Sequence, residues 1–583
     1  MQTKKHIGGI QGLVSWMLPY KGKFVLCGVN VIIANVAELV NPLLTAIIID
    51  DFLKGGAESR GLYSIAGVAM VYFLLQVIGS LCNMYESRLI SRVSQSILYQ
   101  MRSEVFDKIL HMSLGELDRN GTGRLITRST NDVETINEFY SDVFINLFKD
   151  VFLLIGIVIA MFAVDANLAV IAFIGIPIIC AIAFSIKRVV KENHKKIKSL
   201  TGAMNGFIAE SISGMRLIHA FSVMREKLRE FKELNQQLYR ANMTQVFFNT
   251  ILRPSMEVVN NFVIALLIAF SYNRVAGGVL EVGVLYAFTT YVTKFFAPIN
   301  DLADKYTTVQ SAFVSMDRIN EVLNTEDTED MESGEQRGRV IGDIEFRDVW
   351  FAYNPDEWVL RGVSFHIKAG QKAAFVGATG AGKSTIISLI SRYYTPQRGE
   401  ILIDGVNIND WCLRDLRRSC ATVLQDVFLF TGTVRENIDM QAGLTDAEIA
   451  DALKTAQVGE FLRLPEGLEN KVYEQGVNFS TGERQLLSFA RAIAENPSVL
   501  VLDEATAHID SHTESILQKA IDSISRDRTC IFIAHRLSTI RSCDCIYVLQ
   551  SGVIAESGTH DALMQQNGLY AELSRKKDFL KGM

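Results

Sequence analysis

Cysteine is scattered rather than paired along these 583 residues, and positive charge is not in excess. Of the eight cysteines, Cys27, Cys82 and Cys180 lie in apolar runs. Cys412, Cys420, Cys530, Cys543 and Cys545 lie in the more polar second half. Only Cys543 and Cys545 are close together, with no second pair or histidine at zinc-like spacing, so buried free thiols are expected rather than a metal site. Such usage fits a reducing compartment for that half. A net charge of −6 argues against nucleic acid as a partner. No cleavable signal peptide is evident: Lys4, Lys5 and His6 precede an apolar run that is too long and too late. A single hydrophobic core is excluded by length, so two or more domains are expected.

Apolar residues make up 49% of the chain, concentrated in residues 1–300. A membrane span needs about 20 mostly apolar residues. Six runs qualify: 24–49, 63–84, 139–163, 166–186, 247–271 and 279–299. Only "VDAN" separates the third from the fourth, which makes them a hairpin. The stretches 85–138 and 187–246 are polar, helix-periodic and rich in Lys and Arg, among them Arg88, Arg92, Arg102, Lys108, Lys187, Lys195 and Lys196. The positive-inside rule puts both stretches, and the N-terminus with Lys21 and Lys23, on the cytoplasmic side. Each is broken near its middle, at Leu117–Leu125 and at Glu210–Phe221. They are either ordinary loops or helical hairpins that project from the bilayer and dock by their tips.

Charge inside a span is costly. Glu38 sits mid-run beside Asn41 and Pro42, while Arg253 and Glu257 are four apart and share a helix face. These groups either neutralise one another or line a polar cavity that meets substrate. Lys294, near the end of the last run, is expected to snorkel. The acidic stretch 324–339 reads as a linker. The expected organisation is an α-helical membrane domain over 1–323, that linker, and an α/β domain over 340–583.

"GATGAGKS", Gly377–Ser384, follows the apparent strand "KAAFV" and precedes the apparent helix "STIISLISRYY". The pattern G-x-x-x-x-G-K-[ST] lets backbone N–H groups wrap phosphate oxygens at a helix N-terminus. Gly377, Thr379, Gly380, Gly382, Lys383, Ser384 and Thr385 are the candidate contacts, with Lys383 on the outer phosphates and Ser384 on Mg²⁺. Downstream, "PSVLVLDEAT" reads as a buried strand that ends in Asp503 and Glu504. A carboxylate there completes the Mg²⁺ site, and Glu504 is placed to polarise a water for attack on the γ-phosphate. No N-K-x-D base-reading motif occurs, which argues against a GTPase. In "NFSTGERQLLSFARAIAENP", Ser480 and Glu483 form a capping-box pattern.

That last stretch also resembles the L-S-G-G-Q signature of ABC ATPases, with Phe479, Thr481 and Glu483 departing from it and Ser480 and Gly482 retained. The resemblance then extends over nearly the whole chain, to the ABC exporter half-transporters of the type IV, multidrug and lipid exporter family. It implies that Tyr353 stacks on adenine, that Gln425 is the Q-loop glutamine touching Mg²⁺, and that Glu474 is the X-loop acid. It further implies that Asp510 lies in the D-loop and that His535 is the switch histidine at the γ-phosphate. The two broken hairpins correspond to coupling helices. ATP then lies between the loop of one nucleotide domain and the signature of another, so Ser480, Gly482 and Glu483 serve a partner's nucleotide and the chain must dimerise. Retained Glu504 and His535 beside a divergent signature resemble the catalytic-glutamate-bearing half of bacterial heterodimeric multidrug exporters (the BmrC/BmrD type), which favours a heterodimer, with a homodimer as the alternative. The implied activity is ATP-driven efflux of amphipathic small molecules across the bacterial inner membrane, with the nucleotide domain and both termini cytoplasmic. A lipid or peptide exporter, or an ATP-gated channel or sensor, is the alternative on the same scaffold. Fused spans argue against an importer. About twenty residues before the first run leave no room for a peptide-processing protease domain.

Overall fold

Apolar residues that also form good helices leave the backbone no cheaper way to satisfy its own polar groups in lipid. The computed structural model describes residues 8–53, 65–458, 466–503, 511–533 and 537–581. Over these residues the first five apolar runs are helical, and the sixth opens at Val282 rather than at 279. The helices Lys21–Leu53, Ile65–Leu110, Phe144–Val164, Met224–Ala276 and Val282–Leu323 carry five of the runs. The remaining run is divided between Ala166–Phe173 and Gly175–Ser213. Among the described residues, four stretches are long and apolar enough to span a membrane by length and composition alone: Gly9–Asp51, Ile65–Leu110, Thr122–Val164 and Met224–Ala276.

The two polar stretches are helical hairpins rather than loops. The 46-residue helix Ile65–Leu110 runs on for about 69 Å at 1.5 Å per residue. At the first tip, Ser113 caps the short helix Leu114–Asn120, and Gly121, at φ 72°, ends it. At the second tip, the helix Met215–Ala220 lies between Gly214 and Met224.

The chain forms two compact units. One is Met1–Asp107 with Leu125–Asn324; the other is Lys108–Arg124 with Thr325–Met583. The first hairpin tip and the acidic stretch after residue 324 therefore group with the α/β unit, where the sequence places the tip in the membrane domain and the stretch in a linker.

In the first unit, Leu153, Ile157, Met161, Leu168, Val263, Leu267, Phe288 and Tyr291 form the core. Asp165 makes the expected hairpin turn by accepting from the N–H groups of Asn167 and Leu168 at 3.0 and 3.1 Å. Asp50 accepts from the N–H of Gly283 at 2.7 Å, at the start of the Val282–Leu323 helix. A Cβ on Gly283 would stand 2.2 Å from the Ala46 carbonyl oxygen, so only glycine lets these two helices meet.

In the second unit a six-stranded sheet runs in the order Val553–Gly558, Cys545–Gln550, Lys372–Gly377, Thr529–Ile533, Val499–Asp503 and Cys420–Val423. All of its pairings are parallel except the outer Cys545–Gln550 with Val553–Gly558. Parallel strands covered on both faces read as continuous apolar runs, and every residue of Thr529–Ile533 is buried. Two cores flank this sheet, one around Leu486, Phe489 and Leu500, the other around Phe375, Ile386 and Val501. A four-stranded sheet, Ile344–Ala352 paired antiparallel with Trp358–Ile367 and with Arg398–Ile403, closes the second core.

Cys420, Cys530 and Cys543 are buried free thiols, as the spacing led one to expect. Burial pushes each up to about 12, so almost no thiolate exists near neutrality. Iodoacetamide at pH 8 should leave these three unmodified in the folded chain and label all three in denaturant, as read by peptide mass spectrometry.

Candidate nucleotide site

The site begins at the middle of the sheet. Lys372–Gly377 lies between Cys545–Gln550 and Thr529–Ile533. Its last residue enters the loop, and the helix Lys383–Ile390 leaves it. Gly380 and Gly382 adopt φ of 81° and 104°, the left-handed region that glycine reaches without strain. A Cβ on Gly377 would meet the Leu549 carbonyl oxygen at 2.3 Å. The loop therefore presents backbone rather than side chains at the helix N-terminus, which suits phosphate. Lys383 is buried, and its Nζ donates to the carbonyls of Gly377 and Ala378 at 3.0 Å each. Ser384 is exposed beside it, as is Thr379, whereas Thr385 is buried.

Parallel register brings the other groups to the same edge. Asp503 pairs with Ile533, and Ile533 pairs with Phe375, so three strand ends align. Asp503 thus ends its strand two strands from the loop, at the carboxyl edge where α/β sheets bind ligands. Gln425 follows the neighbouring strand Cys420–Val423 and is exposed. Glu504, Asp510 and His535 lie outside the described residues, directly after the strands that end at Asp503 and Ile533. The donor set fits Mg²⁺, which takes few protein ligands and keeps waters and substrate phosphates as the others.

Tyr353 is 47% exposed. Its hydroxyl donates to Thr385 Oγ1 at 3.2 Å, and its ring stands edge-on to Phe351 and Tyr394 at 4.9 and 5.1 Å. It also lines a cavity open to solvent, where a flat ligand could reach the ring.

The signature opens the helix Thr481–Ala494. Ser480 Oγ accepts from the Glu483 N–H at 3.3 Å, and Glu483 Oε2 accepts from the Ser480 N–H at 2.7 Å. The capping box read in the sequence is therefore formed. The Ser480 hydroxyl still has its proton to donate outward. Phe479 is buried and Gly482 is buried, so the substituted Phe479 plugs the core as leucine would. Glu474 is exposed in the turn just before the signature.

Sequence reasoning gave no role to Arg491. Its guanidinium donates to the Asn437 carbonyl at 2.7 Å, the Phe428 carbonyl at 2.9 Å and Asn437 Oδ1 at 3.0 Å. Burial pulls its pKa below the ordinary value. It pins the signature helix to the segment that follows Gln425. The acidic stretch is likewise docked, not free: Glu329 holds Arg417 with two bonds of 2.7 and 2.8 Å.

In the first unit, Lys294 does not snorkel. Its Nζ pairs with Glu38 Oε1 at 3.0 Å across two helices, because a charged lysine in an apolar bundle is stabilised more by a carboxylate than by a stretch toward water. The Arg253 side chain lies outside the described part of its helix, so its pairing with Glu257 stays an expectation; Glu257 itself is exposed. Lys294→Met alone should lower the melting temperature of the purified transporter by about 3 °C or more. Adding Glu38→Gln should restore part of that loss in the same differential scanning measurement. A double variant that melts lower than the single would refute the pairing.

Residues 24–299 match the family model described as ABC transporter transmembrane region, and residues 360–507 match the one described as ABC transporter. The probable multidrug resistance ABC transporter ATP-binding/permease protein YheH of Bacillus subtilis (strain 168) is 38% identical over 493 residues, 83% of this chain and 73% of that protein. The ATP-dependent lipid A-core flippase of Syntrophus aciditrophicus (strain SB) is 33% identical over 95% of this chain and 92% of its own. The solved structure of a bacterial Atm1-family ABC exporter with ATP bound superposes with a TM-score of 0.77, at 27% identity over 96% of this chain and 98% of that one. Fold and site together define a P-loop ATPase fused to a bundle of membrane helices. The chain belongs to the ABC transporter family, in its exporter form, and couples ATP hydrolysis to efflux across a membrane.

Proposed function

We propose that this chain is one half of a heterodimeric exporter of amphipathic small molecules in the bacterial inner membrane, with its nucleotide unit and both termini in the cytoplasm. The observation that carries this is the unlike condition of its two half-sites. The loop Gly377–Ser384 has the glycines and the lysine that a phosphate site needs. The signature carries Glu483 at the start of the helix meant to face another anion. In a homodimer that charge would sit at both nucleotides; in a heterodimer it sits at one.

Each group then has a role. Tyr353 stacks on adenine. The loop N–H groups and Lys383 bind the phosphates. Mg²⁺, held by Ser384, Asp503 and Gln425, would neutralise phosphate charge. Glu504 orients and polarises the attacking water, and His535 contacts the γ-phosphate. Ser480 and Gly482 donate to the nucleotide on the second half, with Asp510 at the same junction. Closure across two nucleotides moves the hairpin tips, and the long helices carry that motion to the bundle. The second tip exposes Leu217 and Phe221, 64% and 74% accessible, as a docking helix requires. Glu257 with Arg253, and Glu38 in its pair with Lys294, are the polar groups offered to substrate.

Two relatives bear names of a multidrug and a lipid A-core transporter, which agrees with an amphipathic substrate. Tagged chain purified from its native host should bring down a different half-transporter; recovery of this chain alone would refute the heterodimer. Dye uptake into inside-out vesicles against a gradient, dependent on ATP, separates a pump from an ATP-gated channel.

A further inference from the structure

A cavity of about 920 Å³ opens beside Tyr353, and residues of the first hairpin tip form one of its walls. Tyr394 stands between the two. It follows the loop helix Lys383–Ile390 by four residues, so its backbone is carried by the element that binds phosphate. Its ring packs edge-on against Tyr353 at 5.1 Å and an interplanar angle of 89°. It also packs edge-on against Phe351 at 5.5 Å. Its hydroxyl donates to Asp118 Oδ2 on the tip helix Leu114–Asn120. Tight packing accompanies the bond: a Cβ on Gly115 would stand 3.1 Å from Tyr394 Cε1. The neighbouring Tyr393 does something else, lying under the Arg417 guanidinium at 5.1 Å.

The tip is also tied to the acidic stretch. Arg119 pairs with Asp327 at 3.0 Å, and the Glu329 N–H donates to the His111 carbonyl at 2.7 Å. Those bonds involve neither Tyr353 nor a residue of Gly377–Ser384, so they hold the tip without passing through either. The Tyr394 bond differs, because its donor touches the ring offered to the base.

We propose that Tyr394 is a positioning residue that transmits base occupancy at Tyr353 to Asp118, and through it to the first hairpin tip. The inference rests on the reading of Tyr353 as the base-stacking residue. A base stacked on Tyr353 fixes that ring. The ring fixes the edge of Tyr394, and the Tyr394 hydroxyl fixes Asp118. The tip is covalently continuous with the helix Ile65–Leu110, so an ordered Asp118 gives that helix a defined end.

Hydrogen–deuterium exchange on the assembled transporter in lipid nanodiscs, with and without saturating Mg-AMP-PNP, tests this. In the unmutated protein, nucleotide should slow exchange both in 377–385 and in 111–120. Tyr394→Phe keeps the ring and removes only the hydroxyl. It should keep the first response and lose at least half of the second, with nucleotide-free exchange of 111–120 changed less than twofold. Asp118→Ala should copy it, Asp118→Asn should retain most of the response, and Tyr394→Phe with Asp118→Ala should lose no more than either alone. If 377–385 fails to respond in the unmutated protein, the nucleotide reading falls and the relay with it. If 377–385 responds and 111–120 does not, or if 111–120 responds fully in Tyr394→Phe, the relay alone is overturned.

Discussion

Glu504→Gln should lower ATP turnover of the complete transporter by about 10²-fold or more while leaving ATP affinity within a few-fold. The register gives the reason. Asp503 closes the strand Val499–Asp503 at the edge where the loop opens, and Glu504 is the next residue. A carboxylate at that point can accept a proton as water attacks, and general-base contributions run to about 10²–10⁴. Glutamine has the same shape and no basic oxygen. On the reading proposed above, binding rests on other groups, the loop backbone, Lys383 and Tyr353, and the substitution replaces none of them. Phosphate release and equilibrium nucleotide binding, measured on the same preparation, separate the two quantities. Turnover that survives at full rate would refute the base assignment. Turnover that falls together with affinity would move Glu504 from chemistry to binding. In the heterodimer proposed above, any hydrolysis that persists with this site silenced belongs to the second half.

Short-range chemistry made much of this molecule legible in its sequence. Apolar runs long enough to span, a glycine loop between strand and helix, and Ser480 three residues before Glu483 all depend on neighbours within a few positions. The loop and the capping box are found where their patterns place them, and the apolar runs are helical over the described residues, with the sixth opening at Val282. What the sequence does not disclose are the contacts made at long range. Lys294 and Glu38 are 256 residues apart, and Tyr394 and Asp118 are 276 apart. A polar residue on a helix gives the same periodicity whether it faces water or a partner, so neither pairing leaves a local trace. The acidic stretch shows the same limit. Its composition reads as a solvated linker, yet Glu329 and Asp327 spend their charge on Arg417 and Arg119. Arg491 could have been noticed, since a half-buried cation among the apolar residues of an amphipathic helix needs partners. Its acceptors are mostly backbone carbonyls, which carry no sequence signal. The alignment of the strand ends was readable for a different reason: parallel strands bring their carboxyl ends to one edge, so Asp503 and Ile533, which close separate apolar runs, stand side by side there.

Glu483→Gln, alone and with Thr481→Gly, should raise hydrolysis at the second half's nucleotide by about tenfold where that half's loop is intact, as read with this chain's own site silenced by Glu504→Gln. Glu483 does two things at once. Its carboxylate accepts the Ser480 N–H and so starts the helix. It also places a full negative charge on a helix N-terminus whose positive potential would otherwise face phosphate. Glutamine accepts the same N–H, since a capping box takes either residue. The substitution therefore keeps the backbone and removes only the charge. Two like charges about 8 Å apart at an effective dielectric of about 20 repel by about 2 kcal/mol, and 1.4 kcal/mol is a factor of ten. Thr481 adds a steric term, because a branched side chain stands where glycine lets the phosphate approach. Its hydroxyl also lies 3.5 Å from Arg484, a contact too long to hold the helix in place. Phosphate release at saturating ATP, compared for the single and double variants, separates the electrostatic term from the steric one. Paired with Glu504→Gln in the same chain, the gain should persist if it arises at the second half's nucleotide and vanish if it arises at this chain's own. A rate unmoved by either signature variant in a self-assembled dimer would mean that Glu483 serves only to start its helix.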